Sequence, residues 1–206
     1  MSAKRKTAPR TFEGYTLAEY FEIERAGHGR YEYRDGEVFC MSGGSFDHDI
    51  SVVNLTLSIG RQLKDGCHIS SANIPIKTDL LPPYRYPDLS VWCGDPIIAF
   101  IGGIQVLTNP ILVVEVLSRS TEDFDKNAKR LAYQALPSLR EYLIVAQHTP
   151  NLIHWTKDGD DWTCQERYIV EAEAPSRATD AIDRIELPAI GCVLAYADIY
   201  AGIDFS

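Results

Sequence analysis

Apolar residues run almost unbroken from Pro110 to Leu117 (PILVVEVL) and are rich in β-branched side chains, the pattern of a strand buried on both faces of a sheet. Glu115 departs from it. An ionised carboxylate in apolar surroundings neutralises unless something compensates it. The pattern therefore predicts a neighbouring cation, a hydrogen-bonded rim position or a metal ion beside this strand. Tyr84 to Trp92 predicts a second strand, with Asp88 directly after Pro87 and Leu89 and Val91 alternating beyond it. Glu141 to Ala146 (EYLIVA) predicts a third, again buried.

Local signals place the other elements. Thr16 and Glu19 stand at capping-box spacing and open a helix to about Arg25, which Gly27 and Gly29 stop. Arg30 to Met41 reads as a β-hairpin around Asp35-Gly36, with Glu37 beginning its second strand. A helix over Phe46 to Leu63 has apolar positions 50, 53, 57 and 63, widened by Val52 and Ile59, and carries His48 in its first turn. Cys67 to Lys77 predicts a strand, Leu81-Pro82-Pro83 a turn, and Gly94 to Thr108 a connection. Ser120 or Thr121 caps a predicted helix to about Ala135, stopped by Pro137. Leu152 to Thr156 and Trp162 to Tyr168 flank a second hairpin turn. Residues 171 to 181 read as loop, Arg184 to Leu187 as a short strand, and Leu194 to Ala201 as a closing helix. The sum is an α/β (α+β) domain, a central mixed β-sheet flanked by helices, over residues 14–206 after a basic flexible tail at 1–13.

Composition adds bounds. Hydrophobic residues make up 45% and charged residues 24%, as in ordinary globular proteins, and the start MSAKRKTAPR has no apolar core; a cytoplasmic protein is expected. Five scattered cysteines read as reduced thiols, and five dispersed histidines argue against structural zinc. Net charge is −9, and the first ten residues hold four basic groups and no acids, which leaves −13 on the rest. Affinity for nucleic acid is largely phosphate neutralisation, so contact with DNA has to come from a local basic cluster, the basic tail, a second subunit or a partner.

Asp88 and Glu115, on neighbouring strands, are the candidate ligands of one Mg²⁺ or Mn²⁺ ion, with the Val116 carbonyl as a third. A lysine two residues after Glu115 would complete a nuclease pattern, but Leu117 stands there. The following helix supplies the charge: Lys126, Lys129, Arg130 and Tyr133 share a helical face, and Lys129 is the candidate to orient water or neutralise a phosphate. The plainer alternative pairs Glu115 with Lys129 or Arg130 as a structural salt bridge, with Tyr133 packed on the sheet.

The run RYEYRDGEVFCMSG at 30–43, His48, YRYPDLSVW at 84–92, PILVVEVLSRST at 110–121, then Asp125, Lys129, Tyr133 and PSLREYLIV at 137–145, resembles the bacterial restriction-endonuclease (Uma2-like) family of the PD-(D/E)xK nuclease superfamily, over about residues 15 to 200. That resemblance implies a restriction-endonuclease-like core, metal ligation by Asp88 and Glu115, and a catalytic lysine moved to Lys129. It also implies that Glu37 and His48 face the same pocket. Arg119 stands where the family usually has proline. The function expected is Mg²⁺- or Mn²⁺-dependent cleavage of DNA, in a possible homodimer; the alternative is an inactive nuclease fold that binds nucleic acid or a partner protein.

Overall fold

The computed structural model describes residues 11–12, 14–27, 29–41, 44–80, 82–117, 125–168 and 184–205. From the N-terminal side come β1 (Thr11–Phe12), α1 (Leu17–Arg25), β2 (Tyr31–Arg34), β3 (Glu37–Cys40) and α2 (Phe46–Gly60). Next are β4 (Cys67–Ser71), β5 (Ile76–Lys77), β6 (Tyr84–Arg85), β7 (Leu89–Cys93), β8 (Ile98–Ile101), β9 (Ile104–Leu107) and β10 (Leu112–Leu117). A π-helical turn, Asp125–Lys129, runs into α3 (Arg130–Gln134). The described chain then continues through β11 (Glu141–Ala146), β12 (Asn151–Asp158), β13 (Asp161–Tyr168), β14 (Arg184–Leu187), β15 (Cys192–Ala195) and α4 (Tyr196–Ile199).

The central sheet has six strands in the order β13-β12-β11-β10-β7-β4. Only β10 and β11 are parallel within it, so the sheet is mixed, as expected. Every residue of β10 is buried, because both faces are covered. Leu112, Val114 and Val116 face a core shared with Leu55 and Ile59 of α2 and with the β14–β15 hairpin. Val113 and Leu117 face the other way, against Tyr133, Leu136 and Tyr142. With a period of two, Glu115 belongs to this second face. A smaller core of Tyr20, Val38, Tyr84, Tyr86 and Val106 attaches the N-terminal hairpin and α1.

Strong local signals form the elements they predict. Glu19 N donates to Thr16 Oγ1 at 3.3 Å and Thr16 N to Glu19 Oε2 at 2.7 Å, closing the capping box of α1. Asp35 (φ 48°) and Gly36 (φ 90°) make the two-residue turn between β2 and β3. Residues 141–146 form the buried strand predicted for them. The Tyr133 ring packs into the core, 5.9 Å from that of Tyr142.

Other expectations need correction. The run Tyr84 to Trp92 is two strands in two sheets: β6 pairs with β5, β7 with β10 and β4. Pro87 has no amide to give a ladder, and Tyr86, Pro87 and Asp88 lie between the two strands. Cys67 to Lys77 likewise divides into β4 and β5. Residues 94–108, expected as a connection, hold the β8–β9 hairpin, which turns on Gly102 (φ 57°) and Gly103 (φ 85°). A Cβ on Gly102 would collide with the Phe21 ring, so that turn tolerates only glycine. In α2 the buried positions are Ser51, Leu55 and Ile59, while Val53 and Leu57 are about half exposed. The closing helix is shorter than expected, because Cys192–Ala195 pairs with β14. The expectation of five reduced thiols also fails: Cys67 and Cys93, opposite each other across β4 and β7, form a disulfide. Ser120, Thr121, Arg119 and the expected loop at 171–181 lie outside the described residues.

Candidate active site

Four segments converge on the second face of the sheet. From β10 comes Glu115, whose Oε1 lies 2.8 Å from Lys129 Nζ. Lys129 ends the π-helical turn that Asp125 begins, and the two side chains are 3.6 Å apart. A π turn widens the helix by one residue, and here both its ends point inward: Asp125 and Lys129 are each 3% exposed. The Tyr142 hydroxyl of β11 donates to the Asp125 carbonyl at 3.0 Å and ties the turn to the sheet. From β2, Glu32 brings Oε1 to 3.6 Å from the same ammonium, while Arg34 bonds its Oε2 at 3.2 Å.

Asp88 stands one residue before β7. The ladder pairs Leu112 with Val91, Val113 with Ser90 and Val114 with Leu89, so its next step sets Glu115 across from Asp88. Asp88 Oδ2 accepts from the Val116 amide at 2.7 Å and lies 3.3 Å from His48 Nε2. Ser45 caps α2 by accepting from the His48 amide at 3.1 Å, and its hydroxyl also hydrogen-bonds Gln147 just beyond β11. The start of α2, and His48 with it, is thereby fixed beside the sheet.

Charge is unevenly balanced here. Burial alone would lower the pKa of Lys129, but Glu115, Glu32, Asp125 and Asp88 lift it well above the ordinary lysine value. Burial would raise Glu32, but Lys129, Arg34 and Arg85 hold it below the ordinary value. Glu115 behaves in the opposite way. Burial, with the charges of Asp125 and Asp88, pushes it well up against the pull of Lys129. Burial also opposes ionisation at Asp88 and His48, yet their hydrogen bond and mutual charge leave Asp88 lowered and His48 raised.

Of the residues expected from the sequence, Asp88, Glu115, Lys129 and His48 are thus brought together. Val116 meets Asp88 through its amide N–H. Glu37 sits across from Arg34 on the N-terminal hairpin, two residues from the position opposite Glu32. The acid of that hairpin in contact with Lys129 is Glu32, which sequence reasoning passed over. Its signal was the alternation of Tyr31 and Tyr33 with Glu32 and Arg34, which puts Glu32 and Arg34 on one face. Arg130, expected on the face of Lys129, instead places its guanidinium 4.4 Å over the Trp155 ring and bonds Gln134.

The donor set at the centre is all carboxylate oxygen, the class that Mg²⁺ and Mn²⁺ take. Among the described residues no three His, Cys, Asp or Glu side chains form a ready-made metal cage.

Residues 17–189 match the family model Uma2, described as "Putative restriction endonuclease". The chain belongs to the Uma2 family. An uncharacterized Synechocystis protein, slr1290, is 35% identical over the whole of both chains. A second from the same organism, sll1609, is 32% identical over 77% of this chain and 90% of its own. The fold has a solved counterpart in the crystal structure of a putative nuclease belonging to DUF820 from Anabaena variabilis. It matches with a TM-score of 0.64 at 12% identity, over 91% of this chain and 98% of that one. The Uma2 description agrees with a nuclease. No helix among the described residues is long and apolar enough to cross a membrane.

Proposed function

We propose that this Uma2 protein is a Mg²⁺- or Mn²⁺-dependent endonuclease that hydrolyses phosphodiester bonds in DNA. The observation that carries the reading is one buried ammonium, Lys129, held 2.8 Å from Glu115 on the strand next to Asp88. Asp88 and Glu115 would hold the ion, with the Val116 carbonyl beside them and water in the remaining positions. The ion would supply a Lewis acid for the phosphate and lower the pKa of water.

The chain's own groups do the rest. Lys129, kept protonated by its acid neighbours, offers a fixed positive charge to the phosphorane-like transition state and a donor to orient the attacking water. Attack in line on phosphorus breaks one P–O ester bond, and the leaving oxygen takes up a proton. Glu32 and Asp125 hold the ammonium in place, and His48 fixes the Asp88 carboxylate. Cutting both strands of a duplex takes two such sites, so a cytoplasmic homodimer is the assembly this reading carries.

Purified protein with Mn²⁺ should nick supercoiled plasmid, and Asp88→Ala should abolish nicking; equal rates for the two would remove the enzymatic claim. The engagement of Lys129 by three carboxylates favours a second reading, a non-catalytic nuclease fold that binds nucleic acid or a partner protein. Calorimetry separates them, because only the first demands Mn²⁺ binding that depends on Glu115.

A further inference from the structure

Cys67 and Cys93 are cross-strand partners at one end of the β4–β7 ladder, with Cα atoms 4.0 Å apart, and they are joined. Among the described residues β4 is the edge strand of the central sheet, paired within it to β7 alone. Cys93 is exposed and Cys67 half-buried, so a small thiol can reach the bond from solvent. Disulfides buried in a core resist exchange, whereas exposed ones are the labile and regulated kind. The ladder then runs from Cys67–Cys93 through His68–Trp92, Ile69–Val91 and Ser70–Ser90 to Ser71–Leu89. Leu89 directly follows Asp88. Just past the other end of β4, the Ala72 carbonyl accepts from Arg30 Nη1 at 2.8 Å, and Arg30 adjoins the hairpin that carries Glu32.

We propose that Cys67–Cys93 is a reversible thiol–disulfide modification site, opened by exchange with a low-molecular-weight thiol, which when closed clamps the edge strand β4 onto β7. The exchange is balanced: two thiols R–SH deliver two electrons and two protons, the protein bond becomes two cysteine thiols, and the reagent leaves as R–S–S–R. Closing runs the same steps backward from the oxidised reagent. Attack falls first on the more open sulfur, Cys93, through a mixed disulfide. With the bond open, β4 keeps its ladder but loses the covalent tie at its far end, and an edge strand held from one side frays first.

The test equilibrates the full chain in glutathione buffers of graded reduced-to-oxidised ratio, traps it in acid, unfolds it and alkylates with N-ethylmaleimide. Of the five cysteines, Cys40, Cys164 and Cys192 stand outside this disulfide, so intact mass should move from three labels to five across the series. Hydrogen exchange on the same samples should show the amides of 67–71 opening about tenfold faster in the reduced protein. The Cys67→Ser/Cys93→Ser double variant should carry three labels at every ratio and show the hydrogen exchange of reduced wild type throughout. In wild type, three labels throughout, five labels throughout, or equal protection of 67–71 in both states would overturn the proposal.

Discussion

Lys129 Nζ lies 2.8 Å from Glu115 Oε1, with 4% and 2% of the two side chains exposed. A buried pair of this kind contributes little stability over apolar replacements, yet removing one partner strands the other's charge. In this protein the stranded charge would be larger, because Glu32 and Asp125 lean on the same ammonium.

Lys129→Met should therefore lose about 3 to 5 kcal/mol in metal-free buffer, read by urea unfolding. Mn²⁺ should restore part of that loss by replacing the missing positive charge among the carboxylates, while nicking stays absent. A variant as stable as wild type, or one that Mn²⁺ leaves unmoved, would contradict the charge balance described for this site.

Glu32 and Glu37, on the two strands of the N-terminal hairpin, should separate cleanly. Glu32→Gln weakens the hold on Lys129 and should slow nicking by about 10- to 100-fold, the usual effect of losing a group that positions a site residue. Glu37→Gln, opposite Arg34, should stay close to wild type. Nicking rates measured at one Mn²⁺ concentration decide the order, and the reverse order would return the site role to Glu37.

Glu24 of α1 gives a prediction away from the site. Its carboxyl accepts from the Tyr86 hydroxyl and the Tyr31 amide, both at 2.6 Å. Burial nonetheless outweighs these bonds and nearby Arg30, and raises its pKa above the ordinary 4.5. A raised acid binds more protons folded than unfolded between its two pKa values, so its contribution is complete below pH 4.5 and fades as pH rises through the folded value. Relative to Glu24→Gln, wild type should lose stability as pH climbs above that point. Urea midpoints taken from pH 4 to pH 7 would show the slope, and parallel curves for the two proteins would refute it.

What the sequence disclosed follows the range of each interaction. The Thr16–Glu19 box and the Asp35-Gly36 turn act within four residues, and both form as their residues dictate. The apolar runs at 112–117 and 141–146 exceed what a surface can accommodate, so they locate the sheet. In α2 the phase was not readable, because Ile50, Val52, Val53, Leu55, Leu57 and Ile59 spread apolar character around the helix. Asn54 helps fix the phase, bonding the carbonyls of Ile199 and Ala201 at 3.0 and 2.9 Å from the far end of the chain.

The site was half legible for the same reason. Glu115 and Asp88 stand out because each interrupts or opens an apolar run, whereas the alternation of Tyr31 and Tyr33 around Glu32 gives it a strand face but does not say that the face is buried. Only the packing of the β2–β3 hairpin over the sheet brings it to Lys129. The disulfide was hidden in the same way: Cys67 and Cys93 are 26 residues apart and meet only through the β4–β7 register.

The most direct test of the account is a crystal soaked in Mn²⁺ and measured for anomalous scattering at the manganese edge. A peak within coordination distance of both the Asp88 and Glu115 carboxylates, absent from Glu115→Gln crystals, is the result expected. Fully ordered side chains with no peak there at saturating Mn²⁺, or a peak held by other residues alone, would contradict it.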